Sequence, residues 1–262
     1  MSLKHLQLAG GRIEYLWHGP PPGGAAPTLV FLHEGLGSAR LWRDFPQRLA
    51  EATGCSALAY SRFGYGGSDP CLLPRPLSYH TDEATLVLPQ VLDRLGVGDY
   101  LPVGHSDGAT IALLHAALAP AQGLLAVIAE APHVFVEDET VAGIAATRDQ
   151  YPRGLRDKLV RHHGDNVDVA FDGWAETWLR PEFRDWNVEA ALPAIRVPLL
   201  VVQGRDDEYA SLRQVEAILR QTGGPAESLV VEQCGHVPHR DHADAVLAAM
   251  ADFVRRARQP AS

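Results

Sequence analysis

The chain has 262 residues, with 23 basic and 32 acidic side chains and a formal net charge of −9. That balance excludes nucleic acid and anionic membrane surfaces as main partners. The length suits one large α/β domain with a substantial core, and 46% apolar with 21% charged residues is the composition of an ordinary soluble globular protein.

In chain order, residues 4–9 and 12–18 read as β-like runs meeting at Gly10-Gly11, a hairpin, and residues 20–24 (Pro-Pro-Pro-Gly-Gly) as a loop. The unbroken apolar run Thr28-Leu-Val-Phe-Leu-His33 predicts a buried strand, followed by the turn Glu34-Gly-Leu-Gly-Ser38 and a helix near 39–52. Ser56–Tyr60 is the next strand, then a glycine-rich loop over 61–70 and a helix near 81–95. A strand ending at Gly104 runs into the alanine- and leucine-rich helical pattern that starts at Ala109, and Leu124–Ala129 forms another strand. From about 137 to 193 the periodicity is helical and no strand is predicted. Strand and helix alternation resumes with strands at 197–202 and 228–231 and helices near 209–221 and 240–257. This order predicts a mostly parallel central β-sheet flanked by helices. The core is expected to comprise residues 1–132 and 194–262, with 133–193 a helical cap inserted after the sixth strand.

Between the strand ending at Gly104 and its helix lies Gly104-His105-Ser106-Asp107-Gly108, a Gly-x-Ser-x-Gly pattern. A turn this tight brings the positions two before and two after the serine into collision unless both are glycine. Ser106 is thereby lifted above a sheet end, at the positive end of a helix. A serine nucleophile needs a base, and the base needs an acid that fixes its tautomer. Asp206 and Asp207 follow the strand that ends at Gly204, and His236 follows the last strand. Cys234, two residues before that histidine, has no separate base beside it and is a weaker nucleophile candidate than Ser106.

With these loops, the chain resembles the α/β-hydrolase fold family over essentially its whole length. Gly104–Gly108 matches the nucleophile elbow, Gly204-Arg-Asp-Asp207 the acid loop, and Cys234-Gly-His236 the histidine loop. The resemblance implies catalytic Ser106, Asp207 (in preference to Asp206) and His236. His33-Glu-Gly-Leu-Gly37 resembles the oxyanion loop, which implies Gly35 and Asp107 N–H as the oxyanion donors. The expected function is hydrolysis of a small carboxylic ester, thioester or lactone through an acyl-enzyme. Two other readings stand beside it: a C–C bond hydrolase of ring-cleavage products, and a ligand receptor with a slow triad. Val237 occupies the position where the C–C hydrolases often carry tryptophan. Dehalogenases and epoxide hydrolases of this fold need an aspartate nucleophile, which Ser106 excludes.

Two positions depart from the family pattern. Glu34 replaces a glycine beside the oxyanion turn and is expected to turn away and pair, with Arg62 as one candidate partner; the alternative is that it binds a cationic group or a water. Ser61 replaces an aspartate as a structural substitution. His33 is expected to brace the oxyanion turn and His105 to be packed structure. His133, at the junction with the cap, and Trp174 are the expected substrate contacts. Arg153, Arg161, His162, His163, Trp178 and Trp186 read as cap core or surface. His239/His242 and His162/His163 lack a ligand cluster, so neither a metal nor another cofactor is expected. Cys55, Cys71 and Cys234 contain no Cys-x-x-Cys pair and are odd in number. With no apolar run longer than a strand and no signal-peptide pattern, they predict a cytoplasmic, reduced protein. It is expected to be a monomer or homodimer acting on a small-molecule acyl substrate.

Overall fold

The computed structural model describes residues 3–21 and 26–259; residues 22–24 of the expected 20–24 loop lie outside them. Eight strands form one sheet: β1 (Lys4–Leu8), β2 (Gly11–His18), β3 (Thr28–Leu32), β4 (Ser56–Tyr60), β5 (Tyr100–His105), β6 (Val127–Glu130), β7 (Leu199–Gly204) and β8 (Ala226–Val231). Their order is β1-β2-β4-β3-β5-β6-β7-β8. The β1/β2 and β2/β4 pairs are antiparallel, and every pair from β4 to β8 is parallel. β3, β5, β6 and β7 are buried along their whole length. A strand covered on both faces needs apolar residues without alternation, and that is the pattern these segments carry.

Helices cover both faces. On one, α3 (Leu88–Arg94), α4 (Asp107–Leu118) and α8 (Leu212–Gln221) share a core with Val30, Leu32, Leu58 and Val201. On the other, α1 (Phe45–Thr53) and α10 (Ala243–Ala257), the latter preceded by the short α9 (Pro238–Asp241), pack on Phe31, Val103, Ile128 and Val202. α4 is buried from Asp107 through Ala116, because it lies at the centre of the sheet, against β5, β6 and β3. Its all-round apolar sequence answers that position.

Between β6 and β7 the chain forms α5 (Asp138–Gln150), α6 (Leu155–His163) and α7 (Val167–Trp178), with short 3-10 turns. These helices hold a third apolar cluster of their own, including Ile144, Leu159, Phe171, Trp174, Trp178 and Phe183. It meets the rest of the chain at Tyr79, the first residue of α2 (Tyr79–Asp82), and at Leu36, Leu77 and Tyr209.

Several boundaries differ from expectation by a few residues, and two of the differences have a plain physical reason. The helix predicted from 39 begins only at Phe45; residues 39–44 form turns, and Pro46 sits in the first turn, where its missing N–H costs no bond. The strand predicted from Leu124 begins at Val127, because residues before it are still completing a turn onto Tyr100.

Candidate active site

β5 ends at His105 and α4 starts at Asp107, so the reversal is made at Ser106 alone. Its backbone stands at φ 53°, ψ −118°, a region non-glycine residues rarely adopt. The surroundings hold it there: Ser106 N–H donates to the Glu130 carbonyl at 2.8 Å, and its own carbonyl accepts from Ala109 and Thr110 N–H. A Cβ on Gly104 would lie 2.2 Å from the Gly108 carbonyl oxygen, and one on Gly108 would lie 1.9 Å from that of Leu32. Both obstacles are main chain and cannot swing aside, so the glycine spacing is a packing requirement. The Ser106 hydroxyl does not cap α4. It faces a histidine.

His236 Nε2 lies 2.9 Å from Ser106 Oγ, and its Nδ1 lies 2.8 and 2.9 Å from the two Asp207 carboxylate oxygens. Asp207 also accepts from Gln203 Nε2 at 2.6 Å and from Tyr209 N–H at 2.8 Å. Burial pushes the Asp207 carboxyl up, but His236 and the donors around it outweigh burial and hold it below its ordinary value. An ionised carboxylate at Nδ1 keeps the proton there, which leaves Nε2 as the acceptor for the Ser106 hydroxyl. Asp206, the alternative acid, is exposed, and its N–H donates to the Cys234 carbonyl at 2.9 Å. Burial pushes the Cys234 thiol up to about 11, so it stays protonated and unreactive at neutral pH.

A cavity of about 250 Å³ opens over Ser106. Gly35 and Asp107, the expected oxyanion donors, both line it. Asp107 is the first residue of α4, so its N–H has no intrahelical acceptor and belongs to the positive helix end. The Trp174 indole covers Gly35 so closely that a Cβ there would fall 2.2 Å from its ring atoms. His133 and Trp174 line the cavity too. His133 is buried, with its ring 5.9 Å from that of His236 and 5.3 Å from that of Trp178. Burial first, and the neighbouring His236 second, push its imidazole down to about 4, so it is neutral at physiological pH.

Ile144, Trp178, Glu208, Tyr209 and Arg240 also line the cavity, and the sequence reading had not assigned them to it. For Trp178 a signal existed: it stands four residues after Trp174 on one helix, hence on the same face. Trp186 instead stacks on Phe183 with ring centroids 5.3 Å apart.

The expected pairing of the Glu34 carboxylate with Arg62 is not formed. Arg62 donates to the main-chain carbonyl of Glu34 at 3.0 Å and lies 3.7 Å from the Asp107 carboxylate. Its guanidinium is buried on the carbonyl side of the turn, whereas the Glu34 side chain emerges on the cavity side. There the carboxylate stands 3.6 Å from His105 Nδ1. His105 is therefore more than packing: its Nε2 donates to the His236 carbonyl at 2.7 Å. Burial works against the imidazolium, but Glu34 and Glu130 prevail and raise its pKa above the ordinary value. His33 braces the turn as expected, donating from Nδ1 to the Glu34 carbonyl at 2.7 Å and accepting the Arg62 N–H at 3.1 Å. Ser61 donates to Glu14 at 2.7 Å and accepts from Ala39 N–H at 2.9 Å, a structural bridge.

The Asp107 side chain had no expected role, and it centres a buried polar network. Tyr79 donates to one carboxylate oxygen at 2.8 Å, Trp178 Nε1 reaches the other at 3.3 Å, and His80 Nε2 lies 3.2 Å away. Among the described residues, no group of three or more His, Cys, Asp or Glu is placed to hold a metal ion. No helix among them is long and apolar enough to cross a membrane.

A sequence model of the alpha/beta hydrolase family matches residues 29–249. The chain is 27% identical over 256 residues to a 2-succinyl-6-hydroxy-2,4-cyclohexadiene-1-carboxylate synthase of Enterobacter sp., covering 87% of this chain and 92% of that protein. It is 26% identical over 258 residues to an N-formylmaleamate deformylase of Pseudomonas putida, covering 88% and 90%. The crystal structure of the enol-lactonase from Burkholderia xenovorans superposes with a TM-score of 0.71 at 19% identity, covering 96% of this chain and 99% of that one, a likeness of fold.

Proposed function

The chain belongs to the alpha/beta hydrolase family, and on that premise we propose that it is a serine hydrolase of small carboxylic esters or related acyl substrates. The observation that carries the reading is the unbroken chain of contacts from Asp207 through His236 to Ser106 Oγ, each at 2.8–2.9 Å, on the wall of a cavity. The substrate carbonyl sits between Ser106 and the N–H groups of Gly35 and Asp107. His236 Nε2 takes the hydroxyl proton as the Oγ–carbon bond forms, and Asp207 stabilises the imidazolium. The oxyanion is held by these two N–H groups, that of Asp107 at the positive end of α4 and that of Gly35 in the turn after β3. Collapse expels the leaving group, which takes the proton from His236. Water, deprotonated by His236, then attacks the acyl-enzyme and frees Ser106. No cofactor takes part.

In this reading residues 133–193 form a helical cap on a core of residues 1–132 and 194–262. The cap brings Trp174 and Trp178 onto the cavity, and His133 and Trp174 contact the substrate. The named activities of the relatives range over a synthase, a deformylase and a lactonase, so the chemistry of the acyl group is not inherited from any one of them. The small cavity and Val237 after the histidine favour ester-like over C–C substrates. We place the reaction on a free small molecule in the cytoplasm.

The test combines fluorophosphonate labelling with turnover of p-nitrophenyl butyrate. The wild type labels, and Ser106→Ala abolishes labelling and lowers turnover by about 10³-fold or more. An unlabelled wild type, or a mutant that turns over normally, overturns the reading. Turnover far below about one per second on every ester, thioester and lactone, together with ligand-induced thermal stabilisation, would make the protein a receptor instead.

A further inference from the structure

Resting on the nucleophile assignment above, we infer that the cavity selects a short, uncharged acyl group carrying a keto or hydroxyl oxygen, and that His133 is the residue that reads that oxygen.

In the acyl-enzyme the acyl group stays bonded to Ser106 Oγ while the leaving group departs to solvent. The exposed lining residues, Glu208 and Arg240, mark the mouth of the cavity, and buried ones, among them His133, Thr140, Ile144, Trp174 and Trp178, mark its inner wall. The inner wall therefore faces the acyl group. Its volume of about 250 Å³ lies below the range of about 300–1,000 Å³ usual for drug-sized ligands. The acyl group is small.

Charge narrows it further. Each basic side chain lining the cavity other than His133 already has a carboxylate: Arg240 meets Asp241 at 2.9 Å, His105 faces Glu34 at 3.6 Å, and His236 meets Asp207 at 2.8 Å. His133, the remaining basic side chain of the lining, is held neutral by burial. An anionic acyl group would lose its hydration and find no free cation, beside the carboxylates of Asp107 and Glu34.

A plain hydrocarbon would suit the indoles but not His133. Among the described residues neither ring nitrogen of His133 has a hydrogen-bond partner; Nδ1 is sealed from solvent, which leaves Nε2 as the ring nitrogen that can meet a molecule in the cavity this residue lines. The His133 main-chain N–H and carbonyl are both bonded to Thr110 Oγ1, and its ring packs beside those of Trp178 and His236. A ring nitrogen that is open to a cavity and has no protein partner is free to bond a ligand oxygen. A neutral imidazole donates to a keto oxygen or accepts from a hydroxyl.

The experiment compares three p-nitrophenyl esters of matched length, each corrected for its hydroxide-catalysed rate: pentanoate, 4-oxopentanoate and the half-ester of glutarate. For the wild type, kcat/KM is expected to be about tenfold higher for 4-oxopentanoate than for pentanoate, and lowest for the glutarate half-ester. In His133→Phe and His133→Asn the oxo-to-alkyl ratio falls towards one, with fluorophosphonate labelling of Ser106 reporting an intact site in each. A ratio near one in the wild type, or a ratio that survives both substitutions, overturns the role of His133. Preference for the glutarate half-ester overturns the uncharged class. Either result leaves the serine-hydrolase reading standing if the wild type labels and Ser106→Ala is inactive; failure of that pair strikes the earlier reading instead.

Discussion

The Tyr79 hydroxyl donates to the Asp107 carboxylate at 2.8 Å, with both groups buried. Trp178 Nε1 donates in turn to the Tyr79 oxygen at 2.8 Å, so the residue after Ser106, the start of α2 and the end of α7 share one polar network. Burial alone would raise the Asp107 carboxyl, but His80, Arg62 and Tyr79 hold it well below the usual range, and it is an anion at any working pH.

Removing members of this network has unequal costs. Tyr79→Phe deletes one hydrogen bond to a charge and is expected to cost about 1.5–3 kcal/mol. Asp107→Ala takes a carboxylate from the buried Arg62 guanidinium and is expected to cost about 3–5 kcal/mol. Urea unfolding of the two variants checks the order. Equal losses would mean that the carboxylate does not balance Arg62.

The two adjacent aspartates differ in the same way. Asp207→Asn replaces the anion facing His236 Nδ1 and favours the wrong tautomer, so kcat is expected to fall about 10³–10⁴-fold. Asp206→Asn, on an exposed side chain, is expected to leave kcat within about twofold and stability within about 0.5 kcal/mol. Steady-state kinetics on p-nitrophenyl butyrate with both variants decides which aspartate serves the histidine.

A third prediction concerns pH. His239 Nδ1 meets Glu130 at 2.8 Å in a buried pair, and its N–H donates to the other carboxylate oxygen at 2.6 Å. Burial works against both charges, yet each partner sustains the other: His239 lies above its ordinary 6.5 and Glu130 below its ordinary 4.5. The raised histidine gives stabilisation that is complete below pH 6.5 and lost as pH rises through its folded value. The depressed glutamate gives stabilisation that is present above pH 4.5 and lost as pH falls through its folded value. The Tm difference between wild type and Glu130→Gln is therefore expected to be widest between these limits and to narrow on both sides. A pH-independent difference would show that the pair is not ionised.

Much of the frame was readable in one dimension. Apolar runs without alternation marked the buried parallel strands, since a strand covered on both faces has no polar side. Gly104 and Gly108 flagged the elbow because main-chain collisions leave no other residue type there. The third element, the order of serine, aspartate and histidine loops, followed from strands that each end at the same sheet edge. The partner of Glu34 is not legible in the sequence, because it depends on which side of a turn the side chain leaves. Arg62 meets the carbonyl on one side, and His105 meets the carboxylate on the other.

The sequence by itself carried the fold class and the elbow at Ser106, because periodicity and steric necessity are local and leave traces residue by residue; Asp207 and His236 came from the resemblance of their loops to those of the family. Only the tertiary structure decided what surrounds them. The Trp174 indole over Gly35, the network on the Asp107 carboxylate and the unpartnered His133 ring all join segments far apart in the chain. Contacts of that kind are set by how the helices of 138–178 pack against the sheet, and no short stretch of sequence encodes them.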